Sequence, residues 1–241
     1  IGLRTARKLV SAATTPLLKA TEENDSIDVV KRLIEQGENV NIKDDMGQSP
    51  LYYAARNTSL EVAKLLITNG ADVESKAVHG QRPLHEAALS DSSHVARLLI
   101  EKNADIHAKD NDGNTPLSLT DSPDVANLLI KHGADVQAKN NEGRMPLGFS
   151  SSVDVARILI QHNADVHAKD NEGITPLHLA VNKNSLSLAN LLIEHGANVN
   201  VKTNNGTMPL WIAVNTGSFE AARLLIEKGA DVTGIDLSWM D

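Results

Sequence analysis

The dipeptide Pro-Leu recurs along this 241-residue chain and limits the folds that are open to it. Seven of the eight prolines precede a leucine, and six of these prolines follow a glycine by three residues. Spacings of 33, 33, 30, 30 and 33 residues separate these glycines, which are Gly47, Gly80, Gly113, Gly143, Gly173 and Gly206. A chain that repeats at this period folds as stacked units that pack on their neighbours, without one central core.

The residues around each Pro-Leu predict two short helices per unit. Ser or Thr before proline, as in Ser49-Pro50, is a good helix N-cap with proline at the first helical position. A second run, V-A-x-L-L-I in most units, places its apolar residues on one helical stripe. That run ends at a glycine such as Gly70, or at Asn103 or Asn163, the residues that favour a left-handed helix stop.

The stretch Gly173-Ile174-Thr175-Pro176-Leu177-His178-Leu179-Ala180, with the later G-A-D-V motif, resembles the ankyrin repeat. The resemblance implies an all-α ankyrin-repeat solenoid of helix-turn-helix units with β-turn fingers. Residues 1–13 are then a capping segment, and residues 237–241 form a tail that either covers the last helices or continues into further sequence. The seven repeats are 14–44, 45–77, 78–110, 111–140, 141–170, 171–203 and 204–236.

The fourth and fifth repeats have 30 residues each, and the missing three fall between their two helices. Three residues are about 4.5 Å of helix, so we expect shortened first helices there. Two interpretations stay open: a recess that accepts a bulky partner element, or a tolerated deletion that weakens local stacking.

Composition excludes several classes of function. A net charge of −8 argues against nucleic acid as the main partner, because phosphate binding needs a basic surface. The absence of cysteine excludes disulfides, Cys-ligated zinc and a thiol nucleophile. It also favours an intracellular, cytoplasmic setting. No apolar run approaches the roughly 18 residues of a membrane span, so we expect no membrane insertion.

The sequence contains none of the common phosphate-binding, dinucleotide-binding, metalloprotease or serine-hydrolase motifs, so we expect neither catalysis nor a metal or cofactor. His85 and His178 occupy the P-L-H position, where the ankyrin resemblance implies that histidine ties a turn together. Another three histidines share the end of the second helix, where a cation is favourable. They are His132, His162 and His195.

The ankyrin resemblance implies a protein or peptide partner on the fingertips and first helices, and we expect the chain to act as a monomer. Carried onto this sequence, the candidate partner-binding residues are Met46, Gln48, Tyr52, Tyr53, Arg56, Asn57, His79, Gln81, Arg82, Asp112, Asn114, Glu142, Arg144 and Trp211.

Aromatic residues and arginines in this set have two interpretations each. Tyr52, Tyr53 and Trp211 either anchor a partner, as such residues do at hot spots, or fill space between first helices. Arg82 and Arg144 either pair with partner carboxylates or are solvated. We expect Phe149 and Phe219 in the core.

Two functions follow from this sequence. The first is a non-catalytic interaction scaffold that binds its partner on a concave surface. The alternative is the targeting or regulatory segment of a larger protein, whether an enzyme, a channel or a host-directed effector.

Overall fold

A computed structural model describes residues 15–238; the predicted N-terminal capping segment and the end of the tail lie outside this range. The described residues contain fourteen α-helices and no β-strand. The chain divides between Asn111 and Asp112 into two compact units, which we call unit 1 and unit 2.

Unit 1 contains three helix pairs, in which first helices pack on first helices and second helices on second helices. Each first helix begins at the proline of a Pro-Leu pair. The helices are α1 (Pro16–Glu22), α2 (Ile27–Glu35), α3 (Pro50–Arg56), α4 (Leu60–Thr68), α5 (Pro83–Leu89) and α6 (Ser93–Glu101).

Unit 2 contains four helix pairs that pack in the same way. Its helices are α7 (Pro116–Leu119), α8 (Pro123–Lys131), α9 (Pro146–Phe149), α10 (Val153–Gln161), α11 (Pro176–Asn182), α12 (Leu186–Glu194), α13 (Pro209–Asn215) and α14 (Phe219–Glu227).

The repeated residues form the core of both units. The leucine after each repeated proline is at most 2% exposed, from Leu17 to Leu210. The alanine of each V-A-x-L-L-I run lets neighbouring helices approach closely, and Ala63, Ala126 and Ala189 are 0% exposed. The core is therefore assembled from many small aliphatic contacts, which explains how a chain with only 2% aromatic residues folds.

Helices begin and end where the sequence signals predict, although the Thr115 hydroxyl before α7 has no hydrogen-bond partner among the described residues. The Ser49 hydroxyl accepts a hydrogen bond from the Tyr52 N–H (3.2 Å), which caps α3. Gly70 follows α4 at φ = 88° and Asn103 follows α6 at φ = 64°, both in the left-handed region. The fingers are β-turn hairpins: at one tip the Gly47 N–H donates to the Asp44 carbonyl (2.9 Å), with Gly47 at φ = 70°.

Shortened first helices are also confirmed, since α7 and α9 have four residues each where α11 and α13 have seven. Two side chains replace the missing turns. Asp121 accepts hydrogen bonds from the N–H groups of Ser151 (2.8 Å) and Ser152 (3.1 Å). Lys183 donates to the Phe149 carbonyl (2.9 Å) at the end of α9, so this recess is bridged from both sides.

Candidate partner-binding surface

Fingers within each unit are hydrogen-bonded in series, which holds their tips in register. In unit 1 the Val78 N–H donates to the Met46 carbonyl (2.8 Å). In unit 2 the Asn171 N–H donates to the Glu142 carbonyl (2.8 Å), and the Asn204 N–H donates to the Glu172 carbonyl (2.9 Å). The tips are thus preformed, and an ordered surface loses little entropy on binding.

An aromatic cluster fills the inner side of unit 1. Tyr52 and Tyr53 are only 2% and 4% exposed, with rings in an edge-to-face arrangement at 6.4 Å. The Arg56 guanidinium lies over both rings (5.4 and 5.3 Å), and its Nε donates to Glu86 Oε1 (3.0 Å). These residues pack against one another, which is the space-filling interpretation.

Both tyrosine hydroxyls are occupied within unit 1. The Tyr52 hydroxyl donates to Gln81 Oε1 (3.0 Å) and the Tyr53 hydroxyl to Asp44 Oδ2 (2.6 Å). Burial is the main cause that raises the pKa of each tyrosine, and a neighbouring carboxylate adds to it. Because these two side chains have little surface left to offer, we do not include them in the proposed site.

The other candidates of unit 1 differ in accessibility. Met46 is 46% exposed, and His79 is also exposed at its fingertip. Gln48 is half-buried. The Asn57 amide donates to the Thr21 carbonyl (2.8 Å), so it links two helix pairs.

The two finger arginines form ion pairs inside their own units, so the interpretation that they are solvated is wrong. Arg82 pairs with Glu74 and with Asp105 (3.5 Å). Arg144 Nη2 lies 3.2 Å from Asp170 Oδ2 and 3.4 Å from Glu142 Oε2. The carboxylate of Asp170 is nearly inaccessible, since its side chain is 4% exposed. Glu74 and Glu142 are close in sequence to their arginines, whereas the stacking register brings Asp105 and Asp170 to them from the following finger.

Glycine makes room for the Arg144 side chain. A Cβ at Gly148 of the short helix α9 would lie 2.9 Å from Arg144 Cγ. The guanidinium also lies 5.4 Å from the Phe149 ring, which is half-buried as a result. Arg144 therefore occupies part of the recess that the shortened helix leaves.

Trp211 and Phe219 lie at the surface of unit 2. Trp211 of α13 is 52% exposed. It occupies the position of His178, which is 1% exposed because the next finger covers it. The expectation that Phe219 is a core residue is wrong: it is the first residue of α14 and is 43% exposed.

An apolar stripe along unit 2 is the feature that the sequence reasoning missed. The fourth residue of each first helix in this unit is apolar and half-buried, whereas the same position holds Lys19, Tyr53 and Glu86 in unit 1. The sequence did contain this signal, because the residue that follows each Pro-Leu-x is apolar in the last four repeats. The stripe consists of Leu119, Phe149, Leu179 and Ile212.

A groove of about 550 Å³ opens at one end of this stripe. Leu179, Ile212 and the finger residue Ile174 give it an apolar floor. Glu172 lines it at the fingertip side, and Asn182 lines it at the end of α11. Both are exposed, so the groove combines apolar area with a carboxylate and an amide.

The remaining candidates of unit 2 lie at the other fingers. Asp112 and Glu142 are exposed at successive tips. Asn114 is half-buried and its Oδ1 accepts a hydrogen bond from the Asn140 amide (3.1 Å). With Glu172 at the next tip, three successive fingers of unit 2 carry a carboxylate.

The predicted turn-tying role of the P-L-H histidine is confirmed. His178 Nδ1 accepts from the Thr175 N–H (3.2 Å), and Nε2 donates to the Thr207 carbonyl of the next finger (3.2 Å). Burial lowers the pKa of His178. In unit 1 the His85 Nδ1 accepts from the Arg82 N–H (3.2 Å), and His85 is 0% exposed.

Neither a metal cluster nor a membrane span is found between residues 15 and 238. No three His, Asp or Glu side chains in this range gather closely enough to hold a metal ion. The two histidines His162 and His195 bond the carbonyls of their own helices (2.9 Å each). None of the described helices combines the length and apolar character needed to cross a bilayer.

Comparisons with known proteins agree with this architecture. The family described as "Ankyrin repeats (3 copies)" matches residues 3–77, 74–140 and 147–236. The solved structure of the ankyrin repeat domain of Bcl-3, described as a member of the IkappaB protein family, is similar at a TM-score of 0.67 and 28% identity. That match covers 88% of this chain and 100% of the Bcl-3 chain. No curated protein sequence matches the chain.

Most of the chain is covered by these family matches, and the helix pairs, the fingers and the all-α class are those that the resemblance implied. The chain therefore belongs to the ankyrin repeat family.

Proposed function

We propose that this chain is a non-catalytic protein–protein interaction scaffold that binds a protein or peptide partner on the finger and first-helix surface of unit 2. Ankyrin repeats are generally interaction modules, which supports the class of function. The groove at Leu179 and Ile212 is the observation that carries the choice of surface. It offers an apolar floor among polar groups, as small binding sites usually do.

Exposed fingertip residues complete the proposed surface. Glu142 is paired with Arg144, but Asp112 and Glu172 are exposed carboxylates at two other unit 2 tips, so they favour a partner segment that contains a basic residue. Trp211 of unit 2, which is 52% exposed, is an accessible position for further contacts. The cysteine-free composition keeps a cytoplasmic setting as part of this proposal.

A pair of matched variants tests the surface. Asn182 ends α11 and lines the groove, whereas Asn215 ends α13 at the corresponding position and does not line it. Both side chains are exposed, so Asn182→Trp and Asn215→Trp alter the surface and leave the core unchanged.

The probe is a phage library of unstructured peptides, selected on the wild-type chain and titrated as synthetic peptides. We expect Asn182→Trp to weaken the selected peptides at least about tenfold by filling the groove, and Asn215→Trp to change their affinity less than about twofold. Selected peptides that bind both variants as tightly as wild type would contradict the proposed surface.

A further inference from the structure

A second groove lies on the outer side of unit 2, among the second helices, and no part of the proposed function uses it. It measures about 580 Å³ and is formed over α12 by residues of α10, α12 and α14. The finger residues do not line it.

The groove exists because α12 has a low outer surface between two higher neighbours. The fifth residue of the second helices is arginine in α10 and α14, Arg157 and Arg223, but asparagine in α12, Asn190. The second residue of α12 is the small Ser187, where α14 has Glu220. Ser187 and Asn190 thus make the middle of the floor low, and the longer charged residues Arg157, Glu220 and Arg223 form the walls.

The two wall arginines are available to a ligand. Among residues 15–238, neither Arg157 nor Arg223 has a carboxylate within ion-pair distance, and both are exposed. They flank the same position of the floor, because each is the fifth residue of its helix. An acidic side chain between them would therefore meet a guanidinium on either side, a geometry that favours charge-assisted hydrogen bonds. The Asn190 amide is already bonded, since it donates to Glu194 Oε1 (2.7 Å) one turn further along α12.

The groove also has an apolar end and an acidic end. Leu186, the first residue of α12, is 37% exposed beside the half-buried Val153. At the opposite end Glu194 and Glu227 are the last residues of α12 and α14. Glu220 lies on one wall only, next to the apolar end. Along α12 the order is thus apolar, basic, acidic.

The dimensions of the groove suit a helix. Packed helices lie about 8–10 Å apart, which places the axes of α10 and α14 about 16–20 Å apart on either side of α12. A helix with side chains is about 10–12 Å wide, so it would lie above α12 at a packing distance of about 8–10 Å, with the Arg157 and Arg223 side chains along its two sides. An extended strand is disfavoured because the backbone groups of the helical walls are already bonded within their helices.

We propose that the outer groove of unit 2 binds an amphipathic α-helix of a partner protein, placed over α12. The face of that helix presents an apolar residue to Leu186, an acidic residue to Arg157 and Arg223, and a basic residue to Glu194 and Glu227. This outer-groove site is separate from the finger surface, so the chain holds two partners, or two segments of one partner, on opposite sides of unit 2.

The probe for this site is a phage library of helical peptides about 20 residues long, a length at which isolated helices form, with one face randomised. Selection on the wild-type chain is followed by titration of the enriched peptides against two variants. Arg157→Glu/Arg223→Glu reverses both walls. Arg97→Glu is the matched control, because Arg97 is the fifth residue of α6 in unit 1, exposed and without an ion pair among the described residues.

We expect enriched peptides to carry an acidic residue between an apolar and a basic one on the same face. The double reversal should weaken them at least about tenfold, and Arg97→Glu less than about twofold. A lysine in place of the peptide's acidic residue should restore binding to the double variant. Asn182→Trp should leave these affinities unchanged, which separates the outer-groove site from the finger surface.

Two results would overturn the proposal. Peptides without the acidic residue, or with equal affinity for wild type and the double variant, would show that the arginines do not select the ligand. Self-association of the wild-type chain that the double reversal abolishes would assign the groove to a second copy of this chain.

Discussion

Replacement of Arg144 by methionine should destabilise unit 2 by about 2 kcal/mol, since it leaves the carboxylate of Asp170 buried without its cation. Breaking a fully buried ion pair costs about 3–5 kcal/mol. The cost here is lower for two reasons. The Arg144 side chain is 24% exposed, and Asp170 Oδ1 keeps hydrogen bonds from the N–H groups of Glu172 (3.0 Å) and Ile174 (2.9 Å).

Methionine is the suitable replacement because it keeps an unbranched aliphatic chain against Gly148. What is lost is the ion pair with Asp170, the exposed pair with Glu142, which contributes little, and the cation–π contact with Phe149, which is about 0.5–1 kcal/mol of the total. Arg157→Met is the matched control, since Arg157 is exposed and forms no ion pair among the described residues; it should cost less than about 0.5 kcal/mol.

The assay is urea unfolding followed by circular dichroism and by tryptophan fluorescence in a Trp239→Phe background, which leaves Trp211 of unit 2 as the reporting tryptophan. Stacked repeats unfold in parts when a local contact is lost, so the two signals are compared before a free energy is assigned. Arg144→Met should also cost at least about 1 kcal/mol less in an Asp170→Asn background, since no buried charge is then left unpaired. An equal cost in both backgrounds would refute the ion-pair reasoning.

Three further predictions concern single contacts. Asp121→Ala should lower the free energy of unfolding by about 1–2 kcal/mol, because two N–H groups of the α9–α10 loop lose their acceptor, and urea unfolding should show that Asp121→Asn costs less. Tyr53→Phe should cost about 1–2 kcal/mol by removing the bond to Asp44, and Tyr52→Phe, whose hydroxyl meets a neutral amide, should cost less in the same assay. Burial lowers the pKa of His178, so the unfolded chain binds the histidine proton at a higher pH than the folded chain does. The free energy of unfolding should therefore decrease as the pH falls below about 6.5, the pKa of histidine in the unfolded chain. Chemical unfolding between pH 7.5 and 5 should show a smaller decrease for His178→Asn than for wild type.

Local structure was predictable because the same helix start and stop residues recur in the successive repeats. Proline and the hydroxyl residue before it determine where a first helix begins, and the glycine or asparagine after V-A-x-L-L-I determines where the second ends. The shortened helices α7 and α9 also followed from counting, since three missing residues leave no room for a further turn.

Contacts between successive repeats were harder to predict. Asp105 and Asp170, which pair with Arg82 and Arg144, lie 23 and 26 residues away, and only the stacking register brings them within reach. Burial of Tyr52 and Tyr53 depends on Arg56 lying over both rings, which no local pattern reveals. The groove over α12 arises because Asn190 is small where its neighbours are long, a difference that matters only after stacking.

Hydrogen exchange of the wild-type chain, with and without a peptide selected from the unstructured library, tests the proposed partner surface most directly. We predict slower exchange in the finger and first-helix segments 171–182 and 203–212, because these segments line the groove at Leu179 and Ile212. Exchange in unit 1 should not change. Protection confined to the second helices, or to residues 15–111, would contradict the assignment of the partner to the finger surface of unit 2.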